Sequence, residues 1–191
     1  MTTRHAATEI GSCELPAADY SLNTPVALGD IPSLGSLRFK PSLCGQVLSV
    51  DCGRGPLNII VTNTNLGGGL DLYASSWSIA TANQPPGQAY CSVSLTNKNS
   101  FKSDQPACYY ATGETDNEYY HKLGLLNTGG RLVENAFLDG KQGNRDGNNP
   151  YFVFNFRATK DKELSFVFSD GGTFNIRLSD CRSGANKQIW S

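Results

Sequence analysis

Between Cys44 and Val93, short apolar segments alternate with glycine-rich and polar turns, a pattern that favours short β-strands over helices. The strand candidates of the first half are Val26–Leu28, Val47–Val50, Leu57–Thr62 and Ala89–Leu95. The one helical candidate there is Ala74–Ala82. The glycine run Gly67–Gly69 precedes a single carboxylate, Asp71, which stands between two leucines at the start of a strand. This stretch therefore predicts a β structure with an isolated acid beside a glycine-rich loop.

Charge and cysteine content exclude several classes of protein. The formal net charge is −1, and the sequence lacks the basic patch that nucleic-acid binding requires. No apolar run approaches the roughly 18 residues of a membrane span, so we expect no membrane partner. The six cysteines contain no CxxC pair, which favours disulfides over zinc and predicts a secreted, extracellular or cell-wall protein. The loop at 139–149 lacks calcium-loop spacing, so we expect no metal and no cofactor.

The second half predicts consecutive antiparallel strands. Its candidates are Leu132–Leu138, Tyr151–Arg157, Glu163–Phe168 and Thr173–Leu178. The last two flank Asp170–Gly171, and an Asp-Gly pair between apolar runs is a strong hairpin signal. Short strands with turns between them favour a sandwich. A polar run, Thr96–Ser100, separates the halves, and we predict two domains, residues 1–97 and 98–191.

The first half resembles the double-psi β-barrel domain of expansins and barwin-like proteins. Cys44, Gly45 and Cys52 resemble the expansin cysteine pattern, with Val47 in place of its middle cysteine. The Gly67–Leu72 segment resembles the one that carries the functional aspartate of expansins, which corresponds to Asp71. The resemblance implies a mainly β chain with a six-stranded double-psi β-barrel followed by an Ig-like β-sandwich.

The second half resembles the carbohydrate-binding sandwich of microbial expansins, so that the similarity spans roughly residues 11–181. Tyr119 and Tyr120 stand where those proteins have a Trp-Trp pair, and Tyr151 falls near their third aromatic. We expect these three to stack on sugar rings, with Tyr109–Tyr110 as a rival pair. The alternative is that Tyr119 and Tyr120 point to opposite faces of a strand, so that one of them lies in the core. In the barrel, the predicted carbohydrate-binding residues are Thr62, Asn63 and Tyr73, whereas Trp77 is predicted to pack in the core.

Six cysteines allow fifteen pairings. The division into two units favours Cys108 with Cys181. The expansin pattern implies Cys13 with Cys44, which leaves Cys52 with Cys91.

Asp71 has no evident acidic partner in the sequence. Glycosidic hydrolysis usually requires two carboxylates. Glu14 and Asp19 lie in the region where related enzymes carry another acid, but without the aromatic-rich motif, and Asn63 stands where many relatives have aspartate. We therefore expect Asp71 to bind sugar hydroxyls or to act as a single acid.

Three functions remain open at this point. The favoured one is non-hydrolytic binding and loosening of a cell-wall polysaccharide, either a β-glucan or peptidoglycan. The second is a lytic transglycosylase or weak glycosidase that uses Asp71 as its acid, so enzymatic activity stays undecided. The third is a non-catalytic protease-inhibitor, defence or structural protein. The sequence does not determine the oligomeric state.

Overall fold

Six strands of the first half form one sheet in the computed structural model, which describes residues 1–191 except for the side chain of Glu114. The strands are β1 (Thr2–His5), β2 (Pro25–Gly29), β3 (Val47–Asp51), β4 (Leu57–Asn65), β5 (Leu70–Tyr73) and β6 (Ser92–Leu95). Their order is β1-β5-β2-β4-β3-β6, with parallel pairs β1/β5 and β2/β4. Because β2 is buried along its whole length, it lies at the centre of this unit.

The two outer strands of this sheet approach one another. Thr2 in β1 and Ala89, three residues before β6, exchange two backbone hydrogen bonds of 2.9 Å. The glycine run Gly67–Gly69 lies against the end of β2, where the amide of Gly29 donates to the carbonyl of Gly69 at 2.7 Å. A Cβ on Gly29 would lie 1.6 Å from the carbonyl oxygen of Gly68, so no other residue fits there.

Two four-stranded sheets make up the second half. Their strands are β7 (Ala107–Tyr110), β8 (His121–Leu126), β9 (Val133–Leu138), β10 (Lys141–Gln142), β11 (Asn144–Arg145), β12 (Phe152–Phe154), β13 (Glu163–Phe168) and β14 (Thr173–Arg177). One sheet has the order β10-β9-β13-β14 and the other β11-β12-β8-β7, and every pair is antiparallel. The mainly β class is confirmed, while the double-psi and Ig-like descriptions stay predictions.

Helices are short. The α-helix α1 (Ala74–Ala80) is two residues shorter than predicted, because Ala82 and Asn83 adopt positive φ angles of 54° and 62°. It buries Trp77, as expected, and its Ser76 hydroxyl donates to the carbonyl of Pro25. The 3-10 helices are Pro32–Leu37, Pro41–Leu43, Gly113–Thr115 and Leu178–Asp180. None of the helices in the described chain is long and apolar enough to cross a membrane.

Each half has its own hydrophobic core, but the first core also takes residues from the second half. Phe101, Tyr109, Leu126 and Trp190 pack in the core formed by β1–β6. The chain end returns to the first unit, where the amide of Gln188 donates to the carbonyl of Leu15. The predicted boundary at residue 97 stays a prediction.

A buried amide side chain, that of Gln46, also joins the halves. Its Nε2 donates to the Thr128 hydroxyl at 2.8 Å, and its Oε1 accepts from the amide of Gly130 at 3.1 Å. These bonds fix the turn before β9 against the start of β3.

All six cysteines are paired, and the pairs are the expected ones. The bridges are Cys13–Cys44, Cys52–Cys91 and Cys108–Cys181. No bridge joins the two halves, and three disulfides fit an oxidising compartment.

Candidate functional site

Asp71 is the second residue of β5, close to the strand start as predicted, and β5 is the middle strand of a three-strand group. β5 pairs with β1 on one side and β2 on the other, so that Asp71 stands opposite Thr3 and Ala27. Its neighbours in the strand, Leu70 and Leu72, are buried, while the Asp71 side chain keeps 18% of its surface exposed. The Thr3 hydroxyl donates to Asp71 Oδ1 at 2.7 Å, which orients the carboxylate.

A histidine bridges Asp71 to a second carboxylate. His5 Nδ1 lies 3.2 Å from Asp71 Oδ2, and His5 Nε2 lies 2.7 Å from Glu9 Oε1. An ionised carboxylate only accepts hydrogen bonds, so the ring donates to both acids at once only as the imidazolium. The arrangement is therefore an acid–imidazole–acid series in which His5 holds the two carboxylates in a fixed relation.

Glu9 is the most heavily bonded group of this cluster. Its Oε1 accepts from Asn63 Nδ2 at 2.8 Å and from the Tyr73 hydroxyl at 3.0 Å, in addition to the bond from His5. Burial raises the pKa of the Glu9 carboxyl, but the hydrogen bonds from His5 and Tyr73 outweigh burial and hold the pKa below its usual value. Burial also raises the pKa of Tyr73 to about 12, so its hydroxyl stays protonated and donates a hydrogen bond to Glu9.

The backbone of Glu9 is held by the end of the chain. The amide of Glu9 donates to the carbonyl of Trp190 at 2.9 Å, and the amide of Trp190 donates back at 2.8 Å. The Trp190 ring is 1% exposed and contacts Tyr20 with ring centroids 5.0 Å apart. The last residues of the chain therefore determine where the second carboxylate lies.

A glycine allows the loop after Glu9 to approach β4. Gly11 has a φ of +77°, and a Cβ there would lie 2.3 Å from the carbonyl oxygen of Thr62. The next amide, that of Ser12, donates to Asn63 Oδ1 at 2.9 Å. This bond orients the Asn63 side chain so that its NH₂ group points to Glu9.

The sandwich presents one strongly exposed tyrosine. Tyr119 is 63% exposed, and the guanidinium carbon of Arg157 lies 5.9 Å from its ring centroid. Tyr120 is half-buried, and neither of the two tyrosines belongs to a hydrophobic core. Both backbone amides donate to Asn117 Oδ1, at 2.9 and 2.8 Å, so this loop is a closed turn.

Comparison with models of protein families gives no match, and no curated protein matches the sequence. Solved structures do match. The crystal structure of apo expansin from Clavibacter michiganensis superposes with a TM-score of 0.68 at 14% identity, over 99% of this chain and 92% of that one. An Asp-to-Asn mutant of that expansin in complex with cellohexaose gives a TM-score of 0.65 with the same identity and coverage.

This chain has an expansin fold. The match covers both halves, so the resemblance seen in the sequence is confirmed as a likeness of fold. The identity of 14% carries no residue roles, and those rest on the geometry described above.

Within this expansin fold, three of the residues predicted to contact sugar, Thr62, Tyr73 and Tyr151, are buried. Thr62 is 0% exposed and lies within hydrogen-bond distance of the Val26 carbonyl. Tyr73 is 0% exposed, and its hydroxyl donates to Glu9 Oε1. Tyr151 is also 0% exposed. The rival pair Tyr109–Tyr110 is buried as well.

Tyr151 is an internal structural residue. Its hydroxyl donates to the carbonyl of Glu14 at 2.9 Å, which links the sandwich to the first unit. The ammonium group of Lys187 lies 5.0 Å from the ring centroid and that of Lys122 lies 5.8 Å from it. The ring is therefore covered by two lysines rather than free for a ligand.

Asp71 and Asn63 belong to one hydrogen-bonded cluster, which also contains His5 and Glu9. The sequence alone did not identify these last two residues. His5 and Glu9 precede every motif that carries the expansin resemblance, and neither stands in a recognisable pattern. The sequence did not identify Glu9 as an acidic neighbour of Asp71, to which His5 connects it. Glu14 and Asp19, which were considered for that role, instead form ion pairs with Lys122 and Lys102.

A second exposed aromatic was also missed. Tyr90 is 90% exposed and follows Ala89, which pairs with Thr2 at the start of β1. The same strand carries Thr3 and His5, so Tyr90 lies close in the fold to the strand that supports the acids.

Proposed function

We propose that this protein binds a cell-wall polysaccharide and loosens it without hydrolysis, in the manner of an expansin. The observation that carries the proposal is the His5 ring between Asp71 and Glu9. The contacts with this ring determine which oxygen atoms of the two carboxylates remain free to react.

Two-acid hydrolysis requires one carboxyl group that gives a proton and one carboxylate that is free to attack or to activate water. Here both oxygens of Asp71 already accept hydrogen bonds, from Thr3 and from His5. The Glu9 oxygen that faces His5 accepts two further bonds. The His5 ring also fills the space between the acids, where an attacking water would have to lie. Such a cluster suits hydrogen bonding to sugar hydroxyls better than bond cleavage.

Tyr119 supplies the proposed stacking surface of the sandwich, with Tyr120 beside it. A sugar ring that stacks on an exposed aromatic gains on the order of 1 kcal/mol. The expansin that shares this fold is known in complex with cellohexaose, which makes a β-glucan the first substrate to test. Because Tyr151 is buried, we propose a shorter platform than the three aromatic residues expected from sequence.

The proposed organisation is a barrel domain in residues 1–97 that carries the acids and a sandwich in residues 98–191 that binds the polymer. We also propose that the protein acts outside the cell, since three disulfides favour an oxidising environment. The bonds of Gln46 hold the two proposed domains in one orientation.

The experiment compares Asp71→Asn with a matched variant, Asp30→Asn. Asp30 is an exposed aspartate whose only described ion pair is with Arg38, so its loss leaves the acid cluster intact. We expect Asp71→Asn to keep its thermal midpoint and its binding to insoluble cellulose but to lose extension of cell-wall strips under constant load. Tyr119→Ala should weaken cellulose binding several-fold, from about 1 kcal/mol of lost stacking. Equal extension by the two aspartate variants would contradict the proposed role of Asp71.

The second carboxylate favours one alternative, a lytic transglycosylase or weak glycosidase. Glu9 and Asp71 are two acids in one cluster, which is the minimum that most glycosidases need. Mass spectrometry of peptidoglycan and of cellulose after prolonged incubation tests this alternative. New soluble fragments that disappear in both Asp71→Asn and Glu9→Gln would establish the enzyme and overturn the non-hydrolytic proposal.

A further inference from the structure

Tyr90 is the most exposed aromatic residue among the described residues, and the backbone on each side of it is fixed. Its exposed fraction is 90%. The preceding residue, Ala89, exchanges two backbone hydrogen bonds of 2.9 Å with Thr2 in β1. The following residue, Cys91, is bridged to Cys52. A tyrosine side chain on a fixed backbone loses little conformational freedom when a ligand binds, which favours a binding contact over a mobile loop tip.

The alternation of side chains along β1 places Tyr90 on the face of the sheet that carries the acids. Thr2 is 1% exposed, and its partner Ala89 packs against the first core, so both point inward. Successive side chains of a strand point to opposite faces, so Tyr90 and Thr3 both point away from that core. The Thr3 hydroxyl donates to Asp71 on this outer face. The exposed ring and the carboxylate therefore share one face of the sheet.

The separation between Tyr90 and Asp71 suits a short glycan. Continuation of the antiparallel bridge by one residue places Tyr90 opposite Met1. Asp71 stands opposite Thr3, on the other side of β1. Two steps between strands and two residues along β1 separate the backbones of Tyr90 and Asp71 by on the order of 12 Å. A few pyranose rings cover this distance, so one oligosaccharide can contact both residues.

The carboxylates beside Thr3 are open to solvent, and they suit a neutral polymer. The side chain of Asp71 is 18% exposed and that of Glu9 is 36% exposed. An ionised carboxylate has about four sites that accept hydrogen bonds, so lone pairs remain for sugar hydroxyls beyond the bonds already described. Two carboxylates beside a single imidazole, that of His5, also repel a polyanion. A neutral sugar chain is therefore the ligand that suits both the tyrosine ring and the acids.

We propose that Tyr90 stacks on one ring of a neutral β-glucan and holds the chain across β1, so that hydroxyls of a neighbouring ring reach Asp71. The inference rests on the proposed polysaccharide binding and divides it between two sites. Tyr119 in the second half anchors the protein on the polymer. Tyr90 in the first half holds the segment of chain that lies over the acids.

Isothermal titration calorimetry with cellohexaose tests this second site in the full-length protein. All variants carry Tyr119→Ala, which removes the proposed contact of the sandwich. In this background Tyr90→Leu, which keeps an apolar side chain but removes the ring, should weaken binding about fivefold. Tyr90→Phe retains the ring and should stay within about twofold of the background. Ile79→Ala removes another exposed apolar side chain of the first half, one that is 58% exposed, and should have no effect.

A double-mutant cycle tests whether one chain contacts both residues. If it does, Tyr90→Leu and Asp71→Asn together should weaken cellohexaose binding by less than the product of the two single effects, because either change already loosens the chain over the other residue. With Tyr119 restored, Tyr90→Leu should lose extension of cell-wall strips while insoluble cellulose still depletes it from solution. Its thermal midpoint should equal that of the parent protein, because the replaced side chain is exposed.

Several results would overturn the inference. Absence of cellohexaose binding in the Tyr119→Ala background, or equal affinity with and without Tyr90→Leu, would refute the second site. If the parent protein still bound cellulose, the proposed function would stand. An equal loss in Tyr90→Phe would refute stacking, and tighter binding of an oligogalacturonate than of cellohexaose would refute the choice of a neutral chain. Absence of cellulose binding in the parent protein would instead count against the proposed function itself.

Discussion

The chain has two tryptophans, Trp77 and Trp190, and they differ in one respect that predicts different costs of substitution. Both are almost fully buried, at 2% and 1% exposure, and both pack in the first core. The Trp77 indole N–H donates to the carbonyl of Gln84 at 2.9 Å, whereas the Trp190 N–H has no partner among the described residues. Replacing either tryptophan by phenylalanine therefore removes a similar amount of apolar contact, but only Trp77→Phe also removes a hydrogen bond.

The expected magnitudes follow from that difference. Shortening a buried aromatic costs about 1–2 kcal/mol at either position, since a cavity remains where the larger ring lay. Trp77→Phe also loses a hydrogen bond, worth about 1 kcal/mol, and leaves the Gln84 carbonyl without its partner. Trp77→Phe should therefore unfold at a lower temperature than Trp190→Phe by about 2–4 °C.

Differential scanning calorimetry of the two variants, with disulfides intact, measures this difference. Trp190→Ala serves as the severe comparison and should cost about 3–5 kcal/mol, because it empties the space that the whole ring fills. A loss below about 1 kcal/mol in Trp190→Ala would show that the chain end does not belong to the first core. Equal midpoints for the two phenylalanine variants would refute the reasoning from the indole hydrogen bond.

Two further predictions concern pH. Burial, together with the nearby Lys122, lowers the pKa of Lys187 to about 8, so the unfolded chain binds more protons between pH 8 and 10.5 and stability should rise with pH there. Lys187→Met should abolish about 1 kcal/mol of this rise, after allowance for partial solvent exposure. Urea unfolding at pH 7.5 and 9.5 measures the difference, and an unchanged rise in the free energy of unfolding between the two pH values would contradict the prediction. The lowered pKa of Glu9 also makes stability rise with pH, but in the acidic range, because the ionised carboxylate stabilises the fold above pH 4.5 and this contribution is lost on acidification. Glu9→Gln should therefore lower the stability more at pH 7 than at pH 3, and an equal loss at both pH values would show that the carboxylate charge is irrelevant.

Local signals were sufficient where a segment's structure depends on near neighbours. The hairpin of β13 and β14 forms around Asp170–Gly171 as predicted, because Gly171 adopts the positive φ of 82° that the turn needs. Strand β1 was not predicted, since Thr2–His5 is a polar segment without alternation. It becomes a strand because β5 pairs with it in parallel, and no local pattern encodes that contact.

The site shows the same limit more clearly. The glycine run before Asp71 marked the acid, but Glu9 reaches the cluster only because Trp190 pairs with it from the other end of the chain. Tyr151 followed a family-like order of residues and was taken for a surface aromatic. Its burial depends on Lys187 and Glu14, which contact it from distant parts of the sequence. Sequence order alone could not distinguish a covered tyrosine from an exposed one.

The central claim, that the protein loosens a glycan without cleaving it, is tested most directly by one paired measurement on the parent protein. Extension of cell-wall strips and release of soluble sugar are recorded in the same sample over the same time. The account predicts extension above the buffer control with no sugar above background, because His5 occupies the space between Asp71 and Glu9. Sugar release that rises in step with extension, and that Asp71→Asn abolishes, would contradict it.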